Sequence, residues 1–136
     1  MLTETNKILV IKSDKDELFK VERFIEQVFE EYELNKALYN RVLLCVSEAV
    51  INSIEHGNKN DSRKPVTIRI DCDFNHISVK VKDEGQGFNL DEVKNPILTK
   101  NLKKESGRGI HIIRSLSDSL RYNSKGNSVH LKMKCR

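Results

Sequence analysis

The sequence predicts an α+β fold: a two-layer sandwich whose mixed, mainly antiparallel sheet carries about three helices on one face. Three observations predict it. Val66, Ile68 and Ile70, then Ile77, Val79 and Val81, alternate with polar residues across a short turn, as the strands of a half-buried hairpin do. Two longer stretches, from Leu18 and from just after Asn35, repeat apolar residues at helical spacing. The element order β-α-α-β-β-loop-α-β-β then places the helices in one layer and the strands in another.

Each element has a local cause. Lys7 to Lys12 is β-branched at its centre and predicts a first strand. Ser13-Asp14 offers a helix cap, with Asp16 and Glu17 favourable in the first turn. Leu18, Val21, Phe24, Ile25, Val28 and Phe29 carry that helix to about Tyr32. Asn35 can cap a second helix reaching Glu55 or His56, with Gly57 as a left-handed stop. Pro65 opens the hairpin and Asp73 to His76 turns it. From Glu84 to Ser106 no period is sustained, and a stretch this long without a clear element is usually functional or mobile. Ile110, Ile113 and Leu116 or Leu120 mark a third helix after Gly107. Ser119 to Tyr122 and Ser128 to Met133 predict two last strands around Asn123-Ser124-Lys125-Gly126-Asn127.

The 136 residues suit one domain over 1–136, long enough for a sizeable core. No apolar run approaches the ~20 residues of a membrane helix, so no membrane association is expected. Ile8 to Ile11, flanked by lysines, reads as a strand and not as a signal peptide. Cys45, Cys72 and Cys135 lack the spacing of a disulfide frame or a zinc site, and Cys45 and Cys72 read as small core or near-core residues. The expected compartment is the cytoplasm. A net charge of +4 is compatible with a phosphate ligand, an acidic protein partner, nucleic acid or an ordinary solvated surface.

Glu48, Asn52 and His56 are spaced by fours, so on a helix they stay within about 80° of one another. Leu43, Val46, Val50 and Ile54 lie opposite, and Val42, Leu44, Ala49 and Ile51 widen that apolar arc. A carboxylate and an amide one turn apart suit a magnesium-nucleotide site. The amide oxygen can bind the hard cation, and the carboxylate can orient or deprotonate a nucleophile. The same spacing also describes the solvent face of an amphipathic helix.

Four of the six glycines, Gly85, Gly87, Gly107 and Gly109, fall in two short clusters. Asp83 ends an alternating strand just before the first. A carboxylate fixed there can accept the exocyclic amine of a purine, while Gly85 and Gly87 let backbone pass close beneath the base. A glycine-rich hairpin turn is the plainer account. Gly107-Arg108-Gly109 opens a helix, where free amides and the helix dipole favour phosphate and Arg108 adds a charged donor. No Gly-Lys-Ser/Thr follows and no strand leads into it, so it is neither a P-loop nor a dinucleotide fingerprint. A structural cap would need the same glycines.

Together these residues resemble the ATP-binding family shared by DNA gyrase B, heat-shock protein 90, histidine kinases and the mismatch-repair protein MutL. Within it they are most similar to the stand-alone anti-sigma factor serine/threonine-protein kinases. Ser47-Glu48-Ala49-Val50-Ile51-Asn52 through His56-Gly57 looks like the first motif, Asp83-x-Gly85-x-Gly87-Phe88 the second, and Gly107-Arg108-Gly109-Ile110 with Leu116-Ser117-Asp118 the third. The resemblance implies the histidine kinase-like ATPase fold, with ATP and Mg²⁺ as cofactors. It implies Asn52 on Mg²⁺, Glu48 as catalytic base and Asp83 on the adenine amine. Gly85 and Gly87 would shape the base pocket, and Gly107, Arg108 and Gly109 would line the phosphates. Residues from about Asn89 to Ser106 would form an ATP lid. It further implies an anti-anti-sigma factor carrying the acceptor serine, a sigma factor held inactive, and a possible homodimer.

Two other function classes share parts of this pattern. A non-catalytic module that uses ATP only to gate partner affinity would have the same site. A basic nucleic-acid binder could use Lys100, Lys103, Lys104 and the Lys132-Lys134-Arg136 tail, but it would lack an aromatic stacking platform, so no direct nucleic-acid contact is expected.

Overall fold

The computed structural model of the chain describes residues 5–85, 116–123 and 127–135. Strand β1 spans Thr5–Lys12. A 3₁₀ turn at Lys15–Glu17 leads into helix α1, Leu18–Glu31. A second 3₁₀ turn at Lys36–Leu38 leads into helix α2, Tyr39–Asn52, which continues as a π-turn at Ser53–Gly57. Strands β2, Pro65–Cys72, and β3, His76–Lys82, form the hairpin. Strands β4, Ser119–Tyr122, and β5, Ser128–Lys134, complete the described elements. The helix expected after Gly107 lies outside the described residues.

The five strands form one sheet in the order β1-β2-β3-β5-β4, and every pairing is antiparallel. Its register sets the core in rows. Leu9, Ile68, Val81, Val129 and Tyr122 stand opposite one another across the sheet, as do Ile70, Val79, Leu131 and Leu120. The central members of these rows are buried beneath the helices. A slip of one residue would turn each row outward, so the alternation seen in the sequence is what fixes the register.

The helices dock by the apolar stripes their sequences carry. Val21, Phe24, Ile25, Val28 and Phe29 of α1 and Val42, Cys45, Val46, Ala49 and Val50 of α2 are buried. Leu44, grouped with the apolar arc of α2, is instead 41% exposed. Phe29 and Tyr39 meet edge to face, ring centroids 5.3 Å apart, and join the two helices. Both predicted caps form: the Asp14 carboxylate accepts from the Asp16 N–H, and the Asn35 side chain accepts from the Ala37 N–H. Helix α1 ends in a Schellman motif. Leu34 N–H donates to Phe29 O and Glu33 N–H to Glu30 O, with Glu33 left-handed at φ 49°. In the hairpin turn, Asp73 accepts from the N–H groups of His76 and Asn75, which hold its carboxyl below the usual carboxylate range.

All three cysteines are buried and unpaired by disulfides. Burial first, and Cys135 second, push the Cys72 thiol up to about 12, so it stays protonated at neutral pH. Arg41 on α2 donates to the Leu116 carbonyl and lies 3.6 Å from Asp118. The chain entering β4 is thereby tied to α2. Among the described residues, no helix is long and apolar enough to cross a membrane.

The outer sheet face carries a cationic row. Arg69, Lys80, His130 and Arg121 stand opposite one another on β2, β3, β5 and β4. Partial desolvation of the ring, then Lys132 and Lys80, lower the pKa of His130 below 6.5. A histidine whose folded pKa is depressed is protonated first in the unfolded chain. Its contribution to stability is therefore full above about pH 6.5 and is lost as the pH falls through that value toward the folded pKa. The urea midpoint should fall between about pH 7.5 and 5.5, and His130→Gln should make that fall shallower. An identical slope in the variant would remove His130 as its source.

Candidate functional site

The end of α2 supplies the first half of the site. Asn52 is buried at the helix C-terminus, 9% exposed, and Glu48 lies half-buried one turn earlier. The stripe formed by Glu48, Asn52 and His56 is therefore not a fully solvated face. Among the described residues, Asn52 Nδ2 is the single buried side-chain polar atom without a hydrogen-bond partner. An orphaned buried amide is costly in a finished core and calls for a partner, which a water, an ion or a ligand can supply.

Beyond Asn52 the helix widens. Asn58 N–H donates to Ser53 O at 2.8 Å, five residues back, and closes the π-turn. Such a turn adds a residue to the helix and redirects the chain beyond it. Here Gly57 is set against β3, where its backbone lies on the Asp83 side chain. A Cβ at Gly57 would come within 3.0 Å of both Asp83 carboxylate oxygens. Gly57 is thus not the left-handed stop expected from its place after a helix. The positive φ values fall on Lys59, 53°, and Asn60, 59°. The position needs glycine for close approach and not for handedness.

Asp83 sits just past the end of β3 and is 5% exposed. Its Oδ1 accepts from the Gly85 N–H at 2.7 Å, and its own N–H donates to Asn127 O at 2.9 Å. Gly85 also requires its missing side chain, because a Cβ there would overlap the Gly57 carbonyl. Gly57, Asp83 and Gly85 therefore form one closely packed unit.

The turn before β5 supplies the other half. Asn127 donates from Nδ2 toward Gly85 O, and Asn123 and Asn127 exchange two hydrogen bonds at 2.7 and 3.0 Å. A pocket opens between these segments, with Asn52, Ser53, Asp83, Tyr122, Asn127 and Ser128 as its polar lining over Ala49, Val81 and Val129. Of the predicted site residues, the structure brings together Asn52, Asp83 and Gly85, with Glu48 on the same helix. Gly87, Gly107, Arg108 and Gly109 lie outside the described residues, as does the lid segment. Asn127 and Ser128 join the site without being expected there from the sequence, and Gly57, the last residue of the first motif, joins it through its contact with Asp83. The Asn123–Asn127 spacing is legible only as a turn.

The residues present fit a magnesium-nucleotide ligand on two counts. The Asn52 amide has one polar end still to satisfy; that end is the Nδ2 donor, so a cation ligand requires the amide turned about χ2 to present its oxygen. The Gly57–Gly85 contact holds a buried carboxylate rigidly at the pocket wall. Among the described residues no cluster of three acidic, histidine or cysteine groups could cage a metal by itself. Mg²⁺ held by one amide oxygen, phosphate oxygens and water would need none. Cys45, one turn before Glu48, has its thiol pKa raised by burial and is no thiolate nucleophile.

A pocket built from a helix end and two strand ends, on an antiparallel sheet covered by helices, defines a class of ligand-binding α+β sandwiches. The chain belongs to the histidine kinase-like ATPase domain family, whose model matches residues 11–133. Among curated relatives, the anti-sigma F factor of Clostridium perfringens is 38% identical over 93 residues, covering 66% of this chain and 66% of the relative. The anti-sigma F factor of Oceanobacillus iheyensis is 38% identical over 91 residues, 63% of this chain and 62% of the relative. The match thus spans slightly under two thirds of those proteins. In fold, the chain is similar to the crystal structure of the RsbU and RsbW domains of Rv1364c from Mycobacterium tuberculosis. The TM-score is 0.66 at 13% identity, over 97% of this chain and 32% of that one.

Gly57→Ala forces a methyl group into the Asp83 carboxylate. It should cost about 1–3 kcal/mol of stability, as overpacking does. Thermal or urea denaturation measures this. A variant as stable as the parent would mean that the π-turn relaxes without strain.

Proposed function

We propose that the chain is a cytoplasmic, ATP-binding anti-sigma regulator that acts as a serine kinase on an anti-anti-sigma partner and sequesters a sigma factor. The buried, unsatisfied Asn52 amide facing Asp83 across one pocket carries the reading. The family match and the anti-sigma F factor relatives support it.

In this reading Asn52 would hold Mg²⁺ through its amide oxygen, and Asp83 would accept the adenine amine. Gly85 and Gly87 would shape the base pocket. Gly107, Arg108 and Gly109 would receive the phosphates through backbone amides and the guanidinium. Bound Mg²⁺ supplies positive charge against the phosphate oxygens. The protein's part in phosphoryl transfer is then mostly positioning. Glu48 would take the proton of the acceptor serine as its oxygen bonds to the γ-phosphorus. The bond from that phosphorus to the β–γ bridging oxygen breaks, and phosphoserine and ADP result.

Calorimetric titration with ADP and a non-hydrolysable ATP analogue, with and without Mg²⁺, tests the site. Wild type should bind in a Mg²⁺-dependent way, and Asp83→Asn should lose that binding. No binding by the wild type would overturn the reading. Asn52→Ala should abolish the Mg²⁺ dependence; an unchanged dependence would remove Asn52 as the ligand.

Glu48→Ala should lower transfer of labelled phosphate to a serine partner by about 10²–10⁴-fold, the range of a lost general base, while largely sparing ATP affinity. Equal loss of binding and transfer would refute the base role. Absence of transfer in the wild type, with ATP-dependent partner affinity intact, would instead make the chain a non-catalytic ATP-gated module.

A further inference from the structure

Six residues beyond Asn52, a second asparagine is buried in the opposite condition. Asn58 is 1% exposed, and both ends of its amide are engaged. Nδ2 donates to Ser13 Oγ at 2.7 Å, to Pro65 O at 2.9 Å and, longer, to Lys64 O at 3.3 Å. Oδ1 accepts from the Glu84 N–H at 2.8 Å. With two carbonyls at one end and an N–H at the other, the partners allow only one orientation of the amide. Its main-chain N–H closes the π-turn on Ser53 O, and its carbonyl accepts from the Asp61 N–H. Ser13 adds its own bond to Lys64 O at 2.6 Å. One side chain thus joins the end of β1, the end of α2, the start of β2 and the turn after β3.

The last connection bears on the site. Glu84 lies between Asp83 and Gly85, and the Glu84 N–H is the donor that Asn58 holds. We infer that Asn58 is a positioning residue for purine recognition: by clamping the Glu84 amide it fixes the Asp83–Gly85 turn against Gly57 and so aims the Asp83 carboxylate. Asn58 itself touches no ligand. The inference rests on the nucleotide reading of the pocket.

Its two ends make separable predictions. Losing the Oδ1 acceptor removes the side-chain partner of the Glu84 N–H, and the turn is free to move away from Gly57. Losing the Ser13 end weakens the joint between β1 and β2 but leaves the Glu84 contact in place. A purely structural clamp would lower stability at either end and leave base selectivity alone. A positioning residue changes selectivity at one end only.

The test measures ATP against ITP, which lacks the exocyclic amine, by competition titration at a temperature where each variant is folded. Wild type should prefer ATP. Asn58→Ala should weaken ATP by about tenfold or more and ITP by less than about twofold, so the preference collapses. Ser13→Ala should lower Tm and keep the preference. If Asn58→Ala does not fold, Asn58→Ser, whose hydroxyl is too short to reach Glu84 but can hydrogen-bond within the site, takes its place, and its preference should vanish. An unchanged ATP preference in folded Asn58→Ala or Asn58→Ser overturns the inference and leaves the nucleotide site standing. A wild type that binds neither nucleotide overturns the nucleotide reading, and the inference with it.

Discussion

The contact between the Gly57 backbone and the Asp83 carboxylate is the constraint on which the rest of the site depends. A carboxylate that is 5% exposed needs close, fixed partners to stay there. A larger residue at Gly57 would displace the carboxylate, and one at Gly85 would displace the Gly57 backbone that lies on it. The π-turn carries Gly57 to that position. The Asp83 side chain in turn caps the Gly85 amide, and Gly85 packs back on the Gly57 carbonyl. The arrangement is closed: each member fills the space that the next leaves empty.

The sheet makes this closure possible. β3 is a central strand, paired along its length with β2 and β5, so its end is held from both sides. The β5 partner also places the Asn127 carbonyl against the Asp83 N–H, which would otherwise be an orphan donor at the strand end. Helix α2 lies across the same strands with Val46, Val50 and Ile54 fully buried, so its C-terminus cannot shift without opening the core. The pocket is thus set by two rigid elements and one turn.

Much of the fold is legible in the sequence because its determinants are local. The alternation in β2 and β3, the helical stripes, and the Asp14 and Asn35 caps each lie within a few residues and appear as expected. Asn52 and Asp83 stand out because an amide in an apolar helix and a carboxylate at a strand end are exceptions to their surroundings. Gly57 departs from expectation for a physical reason. Local chemistry says that glycine after a helix takes positive φ, but Lys59 and Asn60 take it instead. Glycine is reserved for a contact with a residue 26 positions away, which no local pattern encodes. Asn127 and Asn58 are hidden in the same way. Each stands in a polar stretch that reads as loop, and only the fold shows that it is buried.

The two buried asparagines differ in how far their hydrogen bonds are met. Both flank the same π-turn, and both are at least nine-tenths buried. Burying an amide is tolerable when its hydrogen bonds are made and costs about 1–3 kcal/mol when one is left unmade. Asn58 makes bonds at both ends and so can remain in place as part of the fold. Asn52 leaves its Nδ2 unmade at a pocket wall, where an alanine or serine would pack without that penalty. On the proposed reading, the nucleotide's magnesium would supply the partner that Asn52 lacks. That contrast sets Asn52 apart from Asn58 on hydrogen bonding alone, without recourse to the motif in which Asn52 lies.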